Sequence, residues 1–318
     1  MPPDYLHNHK DFSNLLNILA DEKKIQPALI EKDYWLMHVL YGLQKQGFTF
    51  ELKGGTSLSK GYKIIDRFSE DIDIHIKPPS NQNVEENPKK QKAIEIQSRK
   101  DFFDWLSQEI KIYGIISVIR DHAFDNTENY RNGGIRLQYE SKTTVISGVK
   151  EGILLEAGFD TVTPFEQLTI SSWAFDRALN TKGIEIIDNR AIDIACYHPG
   201  YTFVEKLQTI ATKFRQYQST GIIKPNLMRQ YYDVYCLLEN QKVQQFIGTT
   251  EYEKHKSDRF PKQDLTIRLE ENQAFLLDDP DKRSEFRKAY EKTKELYYNG
   301  QPDFDLLLKR IKYFIGRL

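Results

Sequence analysis

Two aspartates separated by one residue stand out in the stretch Asp71-Ile-Asp-Ile-His-Ile76. The alternation of polar and apolar residues predicts a β-strand, on which successive side chains point to opposite faces. Asp71 and Asp73 therefore project together, and the isoleucines pack the other way. Two adjacent carboxylates repel each other unless a cation lies between them, and Mg²⁺ is usually bound by one or two carboxylates together with substrate phosphates. The pair predicts a site for Mg²⁺, or Mn²⁺, and for a nucleotide.

A glycine turn precedes this strand, with the sequence Gly54-Gly55-Thr56-Ser57. Glycine lets the main chain approach a ligand closely, and the N-terminus of a following helix attracts phosphate. The turn is therefore predicted to bind a triphosphate through its backbone N–H groups and its two hydroxyls. Lys53 and Lys60 flank the turn and are candidates to add positive charge near the phosphates.

The surrounding pattern predicts the elements that would position these residues. Two helices come first, the second starting at Pro27, and a polar loop follows the acidic strand over residues 77–92. A short helix is predicted over residues 57–65 and another around Leu106. The predicted strands are residues 48–53, 71–76, 115–120, 134–140, 152–159 and 191–197.

Beyond Pro199 the pattern is helical to the end. Thr202 and Glu205 fit a capping box, which predicts a helix start there with Lys206 in its first turns. The fold class is therefore α/β (α+β): a mixed central sheet with N-terminal helices, followed by an α-helical C-terminal region. We divide the chain into residues 1–198 and 199–318.

Composition limits the other functional classes. With 318 residues and 39% apolar content the chain can form a core, while a net charge of −1 gives no global case for nucleic-acid binding. The most one-sided local charge is the basic stretch over residues 206–229, a candidate for phosphate contact or an ordinary solvated helix face. Two cysteines are too few for a disulfide framework, and no histidine pair on one element has zinc-ligand spacing except His7 and His9 in the N-terminal tail, so no zinc site is assigned.

No apolar run is long enough to span a membrane, and no secretory signal is evident. We therefore expect a cytoplasmic protein with no membrane contact. The charged triplet Glu31, Lys32 and Asp33 could contact the active site, but an exposed cluster on the second helix is the expected arrangement.

The combination of motifs resembles the AbiEii/AbiGii-like nucleotidyltransferases, which are toxin components of bacterial abortive-infection and toxin–antitoxin systems within the polymerase β superfamily. It is carried by GGT-x-L-x-K at 54–60 and R-x-S-x-D-I-D at 67–73. EKDYWLMHVL, FVEKLQTI and RQYYDVYCLL add to it, so the resemblance spans residues 30–240. Arg67 and Ser69 are expected to brace the acidic strand, and Ser69 is counted with the nucleotide site.

The resemblance also implies roles for later residues. Lys206 matches a lysine that faces the nucleotide, and Asp233 matches an aspartate that would orient Lys206 or the substrate. A third carboxylate would complete the metal site and act as base. Glu156 is the candidate within its apolar strand, and Glu140 competes with it.

These observations predict a Mg²⁺-dependent nucleotidyltransferase, an enzyme that transfers a nucleoside monophosphate from an NTP to a hydroxyl and releases pyrophosphate. The resemblance implies an RNA acceptor such as the 3′ end of tRNA, and an antitoxin made separately. The alternatives are a transferase acting on a protein or small-molecule hydroxyl, and a catalytically inactive module that binds a nucleotide or partner.

Overall fold

The structure is a computed structural model that describes residues 3–144, 151–160 and 162–318. Contacts divide the chain into two compact units. The sheet unit comprises Met1–Tyr62 and Phe68–Tyr197, and the helical unit comprises Lys63–Arg67 and His198–Leu318. A short segment ahead of the acidic strand therefore belongs to the helical unit.

The described part of the sheet unit contains one mixed sheet of seven strands, in the order β3-β4-β5-β2-β1-β7-β6. β2 is central, antiparallel to β1 and parallel to β5. The predicted mixed α/β fold class is confirmed. The strands are β1 (Phe50–Lys53), β2 (Asp71–Ile76), β3 (Ile115–Arg120), β4 (Asn132–Tyr139), β5 (Ile153–Gly158), β6 (Phe165–Ile170) and β7 (Ala191–Tyr197).

Helices flank the sheet and form the second unit. The sheet unit contains α1 (Phe12–Lys23), α2 (Pro27–Lys45), α3 (Gly54–Thr56), α4 (Ala93–Glu109) and α5 (Trp173–Leu179). The helical unit contains α6 (Pro199–Thr220), α7 (Pro225–Leu237), α8 (Gln241–Phe246), α9 (Thr250–Arg259), α10 (Gln273–Leu276), α11 (Pro280–Glu291) and α12 (Phe304–Phe314). No described helix is both long and apolar enough to cross a membrane.

The glycine turn is itself the start of a helix. The sequence predicts a break at Gly54-Gly55 and a helix from residue 57, whereas α3 begins at Gly54 and continues as one π-helical turn over Ser57–Gly61. The first backbone N–H groups of this helix therefore belong to the glycines, immediately after β1.

The second helix is more deeply buried than its sequence suggests. All residues from Leu29 to Leu40 of α2 are buried. The expected exposed cluster is wrong, because Glu31, Lys32 and Asp33 are each at most 1% exposed. A helix surrounded by other elements does not show the one-sided apolar pattern by which burial is recognised.

The start of α6 also differs from expectation. The helix begins at Pro199, and the His198 ring accepts a hydrogen bond from the N–H of Gly200 as its cap. The predicted capping box is wrong, since Thr202 is buried inside the helix and Glu205 pairs with Arg259. Proline at the first helical position is favourable because its missing N–H would be unpaired there in any case.

Candidate functional site

The acidic strand presents its carboxylates on one face, as its sequence predicts. Ile72, Ile74 and Ile76 are fully buried on the opposite face. Asp71 and Asp73 alternate with them and are half-buried. Both acids therefore lie on the face of the sheet that does not form this part of the apolar core.

Asp73 is the centre of a polar row across the sheet. The register pairs it with Lys53 of β1 on one side and with Glu156 of β5 on the other. Directly paired residues of neighbouring strands project from the same face. A lysine and two acids are thus neighbours, and the Nζ of Lys53 lies 3.2 Å from a carboxylate oxygen of Asp160.

The glycine turn lies directly against this row. Gly54 has φ +71°, and a Cβ built on it would lie 2.2 Å from Oδ2 of Asp73. Only glycine gives both that backbone conformation and that clearance. The Oγ1 of Thr56 donates to the carbonyl oxygen of Asp71 at 2.5 Å, which ties the turn to the acidic strand. Backbone N–H groups and carboxylates therefore meet at one place.

The two hydroxyl residues of the turn lie inside the sheet unit in this conformation. Thr56 and Ser57 are completely buried, and the Thr56 hydroxyl is taken by β2. Burial raises the pKa of the neighbouring Cys196 thiol to about 12, partly opposed by a hydrogen bond with Ser57. A phosphate contact of either hydroxyl stays a prediction. The backbone N–H groups of Gly54 and Gly55, at the start of α3, are the donors that the turn would present to a phosphate.

The remaining residues predicted for the nucleotide site lie close by in the chain. Ser69 is half-buried two residues before Asp71. Lys60 closes the π-helical turn, and its Nζ lies 2.6 Å from a carboxylate oxygen of the buried Asp33. A phosphate contact of Lys60 stays a prediction, in competition with this ion pair.

The two candidates for a third acid are placed very differently. Glu156 is half-buried and directly beside Asp73 in the register. Glu140 follows the end of β4, has a side chain that is 78% exposed and pairs with Lys142. These positions favour Glu156.

A divalent cation fits the oxygen donors of this face. Within the described residues, no group of three or more His, Cys, Asp or Glu side chains is already arranged to hold a metal ion. Mg²⁺ does not require such a cage, because it is commonly held by one or two carboxylates with phosphate and water. Asp71 and Asp73 provide that pair.

A second polar pair on the same face was not predicted from the sequence. Nδ1 of His75 lies 2.5 Å from Oε2 of Glu51, and Nζ of Lys77 lies 3.1 Å from Oε1. Burial tends to raise the pKa of Glu51, but the hydrogen bonds from His75 and Lys77 outweigh it and lower the pKa. The alternation of polar and apolar residues that puts Asp71 and Asp73 on one face also puts His75 on it. His75 could have been predicted from this pattern.

In the helical unit, Asp233 is held between two cations. The Nε and a terminal nitrogen of Arg67 each lie 2.6 Å from one of its carboxylate oxygens, and the Nζ of Lys206 lies 2.5 Å away. All three residues are buried. Arg67 was expected to brace the acidic strand, and the ion pair that it forms is with Asp233 of the helical unit. Burial favours a higher pKa for Asp233, but the two cations outweigh it and lower the pKa.

We expect Asp233→Asn to lower the free energy of unfolding by about 3–5 kcal/mol, because it leaves Arg67 and Lys206 buried without a counter-charge. Urea unfolding at neutral pH measures this. A folded pKa below the ordinary value means that the stabilisation is complete above pH 3.8 and is lost as the pH falls through the lower folded value. The difference between wild type and variant should therefore narrow below pH 3.8.

The control for this prediction is Asp305→Asn, since Asp305 also pairs with two arginines, Arg283 and Arg287, but is 39% exposed. We expect it to cost less than about 1 kcal/mol. Equal losses for the two variants would contradict the importance of burial.

A cationic cluster lies on α6 and at the start of α7 in the helical unit. It consists of Lys213, Lys224 and Arg229, together with Lys206, whose charge is paired with Asp233. Burial, and then the charges of the other three, lower the pKa of Lys213 to about 8, and its Nζ donates to Oδ1 of Asn226 at 2.6 Å. Arg215, the fifth cation of the stretch, pairs with Asp264. Like charges gathered in this way favour binding of an anion.

The match to a family model decides the identity. The model described as "Nucleotidyl transferase AbiEii toxin, Type IV TA system" matches residues 38–310. The chain belongs to the AbiEii nucleotidyltransferase toxin family. Membership in the AbiEii family makes it a nucleotidyltransferase, and the type IV toxin–antitoxin description implies an NTP substrate and an antitoxin. The resemblance seen in the motifs is confirmed.

Comparison with solved structures found a nucleotidyltransferase-like protein. The chain is similar to the crystal structure of an antigenic nucleotidyltransferase-like protein from Paracoccidioides brasiliensis, with 12% identity and a TM-score of 0.37. The match covers 81% of this AbiEii family member and 93% of that chain. Comparison with curated proteins found no match.

Proposed function

We propose that this protein transfers a nucleoside monophosphate from an NTP to a hydroxyl of RNA, with Asp71, Asp73 and Glu156 holding Mg²⁺ or Mn²⁺. The observation that carries the proposal is the close approach of the Gly54 backbone to the Asp73 carboxylate. Donors for phosphate and acceptors for a cation are adjacent there, and a metal-bound triphosphate needs both.

The chain's own groups account for positioning and proton transfer. When bound, the cation neutralises charge that develops on the transferred phosphoryl group. The N–H groups of Gly54 and Gly55 orient the triphosphate. Glu156 accepts the proton of the attacking hydroxyl while a new O–Pα bond forms, and the Pα–O–Pβ bond breaks to release pyrophosphate. Asp71 and Asp73 would hold the cation.

The proposal also assigns a role to Lys206 and Asp233, which belong to the helical unit. A buried lysine held by one carboxylate and by Oε1 of Gln230 at 3.1 Å has its ammonium group fixed in direction. Fixed positive charge is suited to a phosphate, and Asp233 is the residue that orients it.

The cationic cluster supports a nucleic-acid acceptor. Positive charges on the protein neutralise backbone phosphates and release counterions, which makes binding dependent on salt. The cluster is local, so it is compatible with a net charge of −1 for the whole chain. A polyanion such as the 3′ end of tRNA matches it better than a neutral acceptor.

We expect the double variant Lys213→Glu/Lys224→Glu to bind cell tRNA more weakly, with the slope of log affinity against log salt reduced by about 0.7 per lost phosphate contact. Filter binding over a salt series measures this in the Asp71→Ala background, which prevents turnover. Lys262→Glu, at an exposed lysine of the helical unit, is the control and should leave the slope unchanged. An unchanged slope in the double variant would remove the support for RNA.

The acceptor class is tested by incubating each labelled NTP with cell RNA, cell protein and a small-molecule extract. The proposal requires metal-dependent label in the RNA fraction only, lost in Asp71→Ala. Label in protein or small molecules would identify the other acceptor class. Absence of transfer by wild type, together with equal growth of cells expressing wild type and Asp71→Ala, would indicate a binding module.

A further inference from the structure

Three consecutive charged residues lie inside the sheet unit on α2. Glu31, Lys32 and Asp33 are at most 1% exposed, and they lie outside the residues matched by the family model. Successive residues of a helix point about 100° apart, so the three side chains extend in three directions. Burying a charge costs several kcal/mol unless it is paired. The partners of these three side chains must therefore account for their burial.

Glu31 holds the first residues of the connection between β4 and β5, Ser141 to Thr143. Its carboxylate accepts hydrogen bonds from the Ser141 hydroxyl, the Thr143 hydroxyl and the N–H of Lys142, each at 2.7 Å. This connection leads into β5, the strand that carries Glu156. Three donors on one buried carboxylate fix the path of the main chain at that point.

Lys32 lies beside the residue that precedes the acidic pair. Its Nζ is 3.9 Å from Oε2 of Glu70, and both side chains are largely buried. Glu70 is directly followed by Asp71. The attraction between the two charges places α2 against the start of the acidic strand.

Asp33 holds the short helix that begins in the glycine turn. Its carboxylate accepts from the Nζ of Lys60 at 2.6 Å and from the N–H of Trp173 at 2.8 Å. The same Nζ lies 4.8 Å from the centre of the Trp173 ring. Burial raises the pKa of Asp33, and the charge of Lys60 opposes this. The two side chains therefore depend on each other.

We propose that Glu31, Lys32 and Asp33 form a positioning network for nucleotide transfer. They fix three segments: residues 141–143 after β4, the start of β2 and the short helix that begins at Gly54. In this role Lys60 acts through Asp33 and orients the turn rather than binding phosphate itself. The inference rests on the proposed function of that row.

The test separates positioning from phosphate binding by steady-state kinetics of label transfer. We expect Asp33→Asn, Lys60→Met and Glu31→Gln each to lower kcat about 10–100-fold with little change in KM for the NTP. The double variant Asp33→Asn/Lys60→Met should be no slower than the slower single variant, because both break one contact. Lys60→Arg keeps the charge and should restore kcat to within about tenfold of wild type.

A second measurement does not depend on turnover. Hydrogen exchange should be faster in the backbone of residues 54–61 in Asp33→Asn, and in residues 140–144 in Glu31→Gln. Thermal unfolding confirms that each variant is folded. Glu85→Gln/Lys90→Met removes an exposed ion pair of similar length, 2.7 Å, and should change neither kcat nor local exchange.

The proposal is overturned if the folded variants keep wild-type kcat, or if Lys60→Met raises KM while Asp33→Asn leaves it unchanged. The latter result would make Lys60 a phosphate ligand. Failure of the proposed function looks different, since wild type and Asp71→Ala would then be equally active or equally inactive.

Discussion

Asp73→Asn is expected to lower nucleotide transfer by about 10³-fold or more, since a bound cation contributes several kcal/mol and each 1.36 kcal/mol is tenfold in rate. Asparagine keeps the shape of the side chain and its place beside Lys53 and Glu156, but it removes the charge that a divalent cation requires. Pyrophosphate release and label transfer measure the loss at saturating Mg²⁺.

The control for Asp73→Asn is Asp101→Asn, at an exposed aspartate of α4 whose carboxylate accepts from Gln97. It removes the same charge from the sheet unit without touching the polar row, and should retain full activity. If Asp73→Asn retained more than a tenth of wild-type activity, the assignment of Asp73 as a metal ligand would be wrong.

Gly54→Ala is also expected to impair nucleotide transfer strongly. A methyl group there would approach Oδ2 of Asp73 to 2.2 Å, so the carboxylate or the turn has to move. A displacement near 1 Å at a reacting centre can cost about 10²-fold in rate. We therefore expect a fall of that order in kcat/KM for the NTP, measured with the same assay.

Gly183→Ala is the matched control for the backbone strain that alanine causes at a positive φ. Gly183 also has a positive φ, +80°, but nothing lies within 4 Å of its hypothetical Cβ. Both variants pay about 1–2 kcal/mol for a left-handed alanine, so thermal unfolding should register a similar loss. Only Gly54→Ala should lose activity. Equal activity of the two would mean that the Gly54–Asp73 approach has no part in the reaction.

The polar row could be predicted from sequence because its signals are local. The alternation of polar and apolar residues in β2 shows which side chains share a face. The double glycine indicates that the main chain there passes close to another group or a ligand. The register that sets Glu156 beside Asp73 spans more than eighty residues of chain, so the sequence could name this acid only through its apolar strand and a resemblance.

The contacts between residues far apart in the sequence could not be predicted from it. Arg67 and Asp233 are separated by 166 residues, and nothing near either one specifies the other. The triplet on α2 looked exposed because charged residues usually are, and a helix buried on all sides lacks the apolar stripe that would correct this reading. The start of α6 was misjudged because Thr202 and Glu205 match a capping pattern that Pro199 pre-empts.

The row of acids beside the glycine turn is tested most directly by soaking crystals with Mn²⁺ and a non-hydrolysable NTP, and recording the anomalous signal of the metal. We expect one strong peak bound by carboxylate oxygens of Asp71 and Asp73 and by phosphate oxygens, with the triphosphate on the N–H groups of Gly54 and Gly55. A metal and triphosphate bound elsewhere, with these two carboxylates making no contact to either, would contradict it.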